Sequence, residues 1–258
     1  MKYEIKTLSL GEILDQGIGL IRDKFGLLMG IMAVTVIPMQ IAVGFLAKEF
    51  QPVPGQVPDL PRLFLFLGIV YLLLLTVMPF SNAMVVYATA NTYLGRKTSL
   101  GDCFWHAMRR WPALIWTTIV MVFAIMGGFI LFIIPGIIFA FWFMLAQQVA
   151  VLESLNGAPA LTRSKALMKG NIGTAFALSL VVGVISYANA FVSKLIPQPY
   201  DVIVAAVISG GLTLVSTCTF VVFYFSCRCT LDNFDLEVLA NEVASSVDGN
   251  ASEDAESL

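Results

Sequence analysis

Five stretches of this chain, residues 25 to 47, 63 to 95, 111 to 152, 170 to 193 and 202 to 227, contain no Asp, Glu, Lys, Arg or His. An α-helix rises about 1.5 Å per residue and a bilayer core is about 30 Å thick, so roughly 20 apolar residues cross it once. Every stretch is long enough for one crossing and the third for two. That third stretch contains Ile134-Pro135-Gly136, where a proline lacking a donor and a permissive glycine predict the turn of a hairpin. Six spans follow, over 25–47, 63–88, 112–133, 137–153, 172–194 and 202–227. The windows are apolar on every face, whereas membrane β-strands alternate, so a β-barrel is excluded. The expected class is an all-α, polytopic membrane helix bundle. Composition agrees, with 58% hydrophobic and 12% charged residues against about 45–50% and about 25% in soluble domains.

Six spans sort the basic residues unevenly. Lys2, Lys6, Arg22, Lys24, Arg96, Lys97, Arg109, Arg110, Arg163, Lys165, Lys169 and Arg228 fall on one side, and only Lys48, Arg62 and Lys194 on the other. Positive residues stay cytoplasmic, which predicts both termini inside a bacterial cytoplasmic (inner) membrane. The acids Glu4, Glu12, Asp15 and Asp23 ahead of the first span are unlike a signal peptide, so the N-terminus is expected to be retained. Cys103, Cys218, Cys227 and Cys229 all fall in cytoplasmic or embedded positions, where no structural disulfide is expected.

A short amphipathic segment precedes each outward span. SLGEILDQGIGLI from Ser9 and SLGDCFWHAMRRW from Ser99 superpose at a shift of 90 residues, with Ile13 on Cys103 and Gly17 on Ala107. Both open on Ser with an acid three residues later, the pattern of a capping box. A third segment, PALTRSKALMKG, starts at Pro159, a residue suited to a first helical turn, and gathers Ala160, Leu161, Leu167 and Met168 on one arc. The expectation is three units, each a cytoplasmic interfacial helix followed by a membrane hairpin, filling residues 1–229. Arg109, Arg110, Arg163, Lys165 and Lys169 would then contact anionic lipid headgroups or a partner protein. Residues 230–258 carry eight acids and no base, and read as a largely disordered acidic tail that could fold back on that collar.

Catalytic signals are absent. There is no HExxH, GxSxG or GxxxxGK[ST], no acid pair within a span, and a single histidine, His106, without paired cysteine spacing. No catalytic residue, metal, cofactor or nucleic-acid partner is expected. Glu153, at the exit of the fourth span, is expected to stay hydrated or pair with Arg163 or another base of the collar. Asn82, Gln147, Gln148 and Asn189 lie in or near the spans, where such side chains either join helices or line a pathway.

Three segments carry a resemblance: LSLGEILDQGIGLIRDKFGLL, IIPGIIFAFWFMLAQQVAVLE and NGAPALTRSKALMKGN. They resemble an uncharacterised bacterial family of six-span proteins similar to the membrane domain of glycerophosphoryl diester phosphodiesterases. In the fused enzymes the hydrolase is a separate soluble barrel, so the resemblance implies a membrane module without that activity. The leading expectation is therefore a non-enzymatic scaffold or lipid-interacting module. The alternatives are a transporter or channel for a lipid or small solute, and an enzyme acting on lipid headgroups through Glu153. A tunnel lined by Asn82, Gln147, Gln148 and Asn189 would favour transport, and a dry closed bundle would not.

Overall fold

The first helix, α1 (Leu10–Asp23), starts where the sequence places its cap. In the computed structural model, which describes residues 3, 5–50, 59–193 and 201–237, the Ser9 N–H and hydroxyl donate to Glu12 Oε2 at 2.8 and 2.7 Å. Ser99 and Asp102 repeat the arrangement, with the Asp102 N–H returning a bond to Ser99 Oγ at 3.3 Å. Ile13 and Gly17 of α1 are buried, as are Cys103 and Ala107 at the matching positions 90 residues on. The shared face predicted by the repeat is the face both segments bury.

Among the described residues the helices are, in order, α1, α2 (Phe25–Val34), α3 (Val36–Glu49), α4 (Leu60–Tyr93), α5 (Leu100–Leu131), α6 (Ile133–Trp142), α7 (Ala146–Leu152), α8 (Ala158–Met168), α9 (Ile172–Ser193) and α10 (Asp201–Asp232). There is no strand among the described residues. Among the described residues six segments are long and apolar enough to cross a membrane: Phe25–Lys48, Leu60–Tyr93, Leu100–Leu131, Ile133–Leu152, Ile172–Asn189 and Val202–Asp232. The chain is an all-α, multi-pass membrane protein. Its outer surface is lined with exposed Leu, Ile, Val and Phe, the composition a lipid-facing surface requires. The acidic tail from Val238 onward and Lys194 lie outside the described residues.

Three local departures matter for the interior. The hairpin between the third and fourth spans turns at Phe132, whose backbone is extended, and not at Pro135-Gly136. Pro135 sits in the first turn of α6, where a missing donor costs nothing. Gly136 serves close packing: a Cβ on it would lie 2.5 Å from Phe129 Cγ, and one on Gly128 would lie 3.0 Å from Gly136 Cα. The two arms therefore meet nearly backbone to backbone.

The second departure is that residues 99–111 do not form a separate surface helix. They are the first turns of α5, held against α4 by His106 stacked on Tyr87 at 4.0 Å and by Phe104 and Trp111 edge-on to Phe80. The helix continues through Pro112. The expected in-plane role of Arg109 and Arg110 becomes a position on the flank of a long helix. The third departure is that two spans are broken, the first at Thr35 and the fourth at Phe143–Leu145.

The segments α1 and α8 remain separate helices that close one end of the bundle. A Cβ on Gly17 of α1 would sit 2.9 Å from Thr219 Oγ1 of α10, and the Leu8 N–H donates to Ser226 Oγ at 2.9 Å. In α8 the predicted arc, Ala160, Leu161, Leu167 and Met168, is buried, with Pro159 in the first turn as expected. Packing continues beyond the expected boundary at residue 229, because Phe234 is buried and stacks on Phe225.

Candidate functional site

Broken helices leave backbone groups that apolar surroundings cannot satisfy, so side chains must supply the partners. At the fourth-span break, Ser164 Oγ of α8 donates to the Trp142 carbonyl at 2.8 Å and accepts from the buried Leu145 N–H at 3.2 Å. At the first-span break, Thr35 Oγ1 lies 2.7 Å from the Ile31 carbonyl and 2.8 Å from Ser81 Oγ of α4. Pro79 interrupts the ladder of α4, and the Trp111 indole donates to the Thr76 carbonyl nearby at 2.9 Å.

Residues beside these interruptions line a half-open pocket of about 390 Å³. From α4 it is lined by Pro79, Ser81 and Asn82; from α7, by Gln147 and Gln148. Thr118 of α5 and Thr213, Ser216 and Thr217 of α10 complete its polar groups, and Met32, Val36, Leu74, Met78 and Phe220 make most of its accessible surface apolar. None of these lining residues carries a charge. Gln148 is 5% exposed, and the Oε1 atoms of Gln147 and Gln148 are buried with no hydrogen-bond partner. Volumes of this size accommodate small molecules.

A charged cluster lies where α7, α8 and α10 meet, towards the end of the bundle rich in basic residues. Glu153 caps the end of α7, about 8 Å along the helix from the two glutamines. Its Oε2 accepts from Arg163 Nε at 2.7 Å and its Oε1 from the Tyr224 hydroxyl at 2.8 Å. Arg163 also donates to both oxygens of Asp232, and Arg228 Nε lies 3.3 Å from Asp232 Oδ2 and 4.0 Å from Glu153 Oε1. Two carboxylates and two guanidiniums thus balance within one network tying α7 and α8 to α10. The Asp232 carboxylate, and secondarily that of Glu153, holds the Arg163 guanidinium above its ordinary pKa despite partial burial.

Of the residues expected to reach headgroups or a partner, Arg163 is instead turned inward into this network. Arg110 bonds the carbonyl of Ser154 at 3.3 Å and its hydroxyl, bracing a corner where Ser154 has φ of 61°. The Lys165 ammonium sits 4.0 Å over the Trp142 ring. Arg109 and Lys169 are exposed. Asn82, Gln147 and Gln148 come together in the cavity, whereas Asn189 is not among its lining residues and donates to Ser209 Oγ on α10 at 3.1 Å. Sequence reasoning missed Ser164, Thr118, Thr213, Ser216 and Asp232. Hydroxyls inside charge-free windows were the signal for Thr118, Thr213 and Ser216; Ser164 lies between Arg163 and Lys165 and carried no such signal.

The four cysteines are buried free thiols, and no group of three or more His, Cys, Asp or Glu among the described residues could hold a metal. Fold and site together define a multi-pass helical membrane protein with an uncharged, half-open pocket of mixed polar and apolar lining between its helices. The sequence model of a family described as a domain of unknown function, DUF8558, matches residues 113–247, more than half of the 258. The chain belongs to that family. No curated protein and no solved structure matches it.

Proposed function

We propose that this protein binds and passes a small uncharged polar solute through the interior of its bundle. The observation that carries this reading is the cavity itself: amide and hydroxyl side chains gathered within the membrane-spanning helices, with no charge among them, where two spans are broken and a third is interrupted by proline. Non-helical backbone at membrane depth is tolerated where it is buried in protein or lines a cavity, and discontinuous helices build the binding sites of many transporters. The solute is uncharged because a lone ion would have no counter-charge in the cavity wall, and both Glu153 oxygens are already engaged. This favours the transport alternative over a purely structural scaffold.

The twelve-to-three division of basic residues supports an orientation with both termini in the cytoplasm of a bacterium. The likeness to the membrane domain of glycerophosphoryl diester phosphodiesterases is compatible with a membrane module of this kind. Exposed Arg109 and Lys169, with exposed Lys165 over the face of Trp142, favour a second role as contacts for anionic headgroups at that end.

The test is flux. The full chain in proteoliposomes should admit urea or glycerol faster than empty vesicles, as followed by stopped-flow light scattering, and Gln148→Leu should return the rate to the empty-vesicle value. Equal rates for wild type and empty vesicles, or faster water movement with no solute entry, would overturn the reading.

A further inference from the structure

We infer that Tyr224 and the ion-pair network around Glu153 form a gate between the pocket and the basic end of the bundle. The inference rests on the pocket being a solute site. The register of α10 sets the order of the groups. Phe220, Tyr224, Arg228 and Asp232 stand four residues apart in one row of that helix, about 6 Å per step. Phe220 lines the pocket, so each following member of the row lies one turn further from it. Exposure follows the same order: Tyr224 is fully buried, the Glu153 side chain is 15% exposed, and those of Arg228, Arg163 and Asp232 are 21%, 24% and 26% exposed. The phenol ring thus lies between the pocket and the charges, and the charges lie between the ring and water.

The seam that this row closes is held by polar side chains. Helix α7, which brings Gln147 and Gln148 to the pocket, packs its backbone against α4, α5 and α8 and is joined to α10 through the Tyr224 hydroxyl, which donates to Glu153 Oε1 at 2.8 Å. Glu153 is latched from the other side by Arg163 of α8 at 2.7 Å, and Arg163 shares Asp232 with Arg228. Ion pairs that water already reaches exchange for hydration at little cost. The buried contacts of Ala150, Val151 and Leu167 on α7 and α8 have no such substitute, because parting them exposes apolar surface. A path from the pocket to the basic end therefore opens most cheaply where Tyr224 meets Glu153.

The experiment measures urea entry into proteoliposomes holding the full chain as wild type, Tyr224→Phe, Glu153→Gln and Tyr224→Phe with Gln148→Leu. Tyr224→Phe keeps the buried ring and removes one hydrogen bond to a carboxylate, a loss that shifts a closed-to-open balance by about tenfold or more. Urea entry above the empty-vesicle rate should rise by about that factor. Glu153→Gln, which removes the charge that holds Arg163 to α7, should also raise it. Adding Gln148→Leu to Tyr224→Phe should abolish the gain, which shows that the extra urea passes through the pocket and not through a loosened bundle. A thermal melt identifies any variant that fails to fold, and Tyr224→Phe and Glu153→Gln each test the gate alone. If the folded variants admit urea at the wild-type rate, or if the gain survives Gln148→Leu, the gate falls and the pocket reading stands. If no protein admits urea above the empty-vesicle rate, the pocket reading falls and takes the gate with it.

Discussion

Arg163→Met tests whether the charged network holds the basic end of the bundle together. The guanidinium makes one hydrogen bond to Glu153, at 2.7 Å, and two to Asp232, one of them at 3.2 Å. Side-chain exposures are 24% for Arg163, 15% for Glu153 and 26% for Asp232, so water reaches the cluster in part. Breaking a fully buried pair by removing one partner destabilises by about 3–5 kcal/mol, and partial exposure places this case near the lower end, about 3 kcal/mol. Arg228 remains, 3.3 Å from Asp232 and 4.0 Å from Glu153, and limits the loss. At roughly 2–4 °C per kcal/mol for a chain of this size, Tm should fall by about 6–12 °C. A thiol-reactive fluorophore suits the measurement, because all four cysteines are buried and react only on unfolding. Asp232→Asn added to Arg163→Met should cost less than the sum of the single changes, since the stranded carboxylate is removed with its partner. A melt for Arg163→Met within about 2 °C of wild type, or strict additivity in the pair, would show that these charges are held by water and that the network contributes nothing.

Two further predictions concern caps and breaks. Ser164→Ala leaves the Leu145 N–H and Trp142 carbonyl without their partner and should destabilise by about 1–3 kcal/mol in the same assay, while an unchanged melt would mean the break is satisfied in another way. The Ser9 hydroxyl, and then its N–H, hold the Glu12 carboxyl down to about 2 from an ordinary 4.5. A lowered carboxylate stabilises the fold above pH 4.5, and that contribution fades as pH falls through about 2. An NMR titration of Glu12 should show the low value in wild type and its return towards 4.5 in Ser9→Ala; a wild-type value near 4.5 would refute the capping box in solution.

Hydropathy is a property of each segment in turn, so the number and rough limits of the spans were legible without any knowledge of packing. So were the caps at Ser9 and Ser99 and the buried arc of α8, since each depends on residues within a turn or two of one another. Pairing of Glu153 with Arg163 was one of two outcomes the sequence allowed, because ten residues separate them across a short corner. Asp232 was read as part of a tail, since nothing local shows that α10 returns its end to α8, 69 residues earlier in the chain.

The turn at Phe132 depends on how closely Gly128 and Gly136 let two helices approach, and the hold of α4 on the first turns of α5 on the stacking of His106 against Tyr87. Asn82 joins Gln147 and Gln148 while Asn189 does not, a matter of which helices are neighbours and which way each is rotated. A bilayer demands the same apolar length of every crossing segment, so length and charge are written along the chain; it leaves the arrangement of those segments to side-chain packing, which only the folded bundle decides.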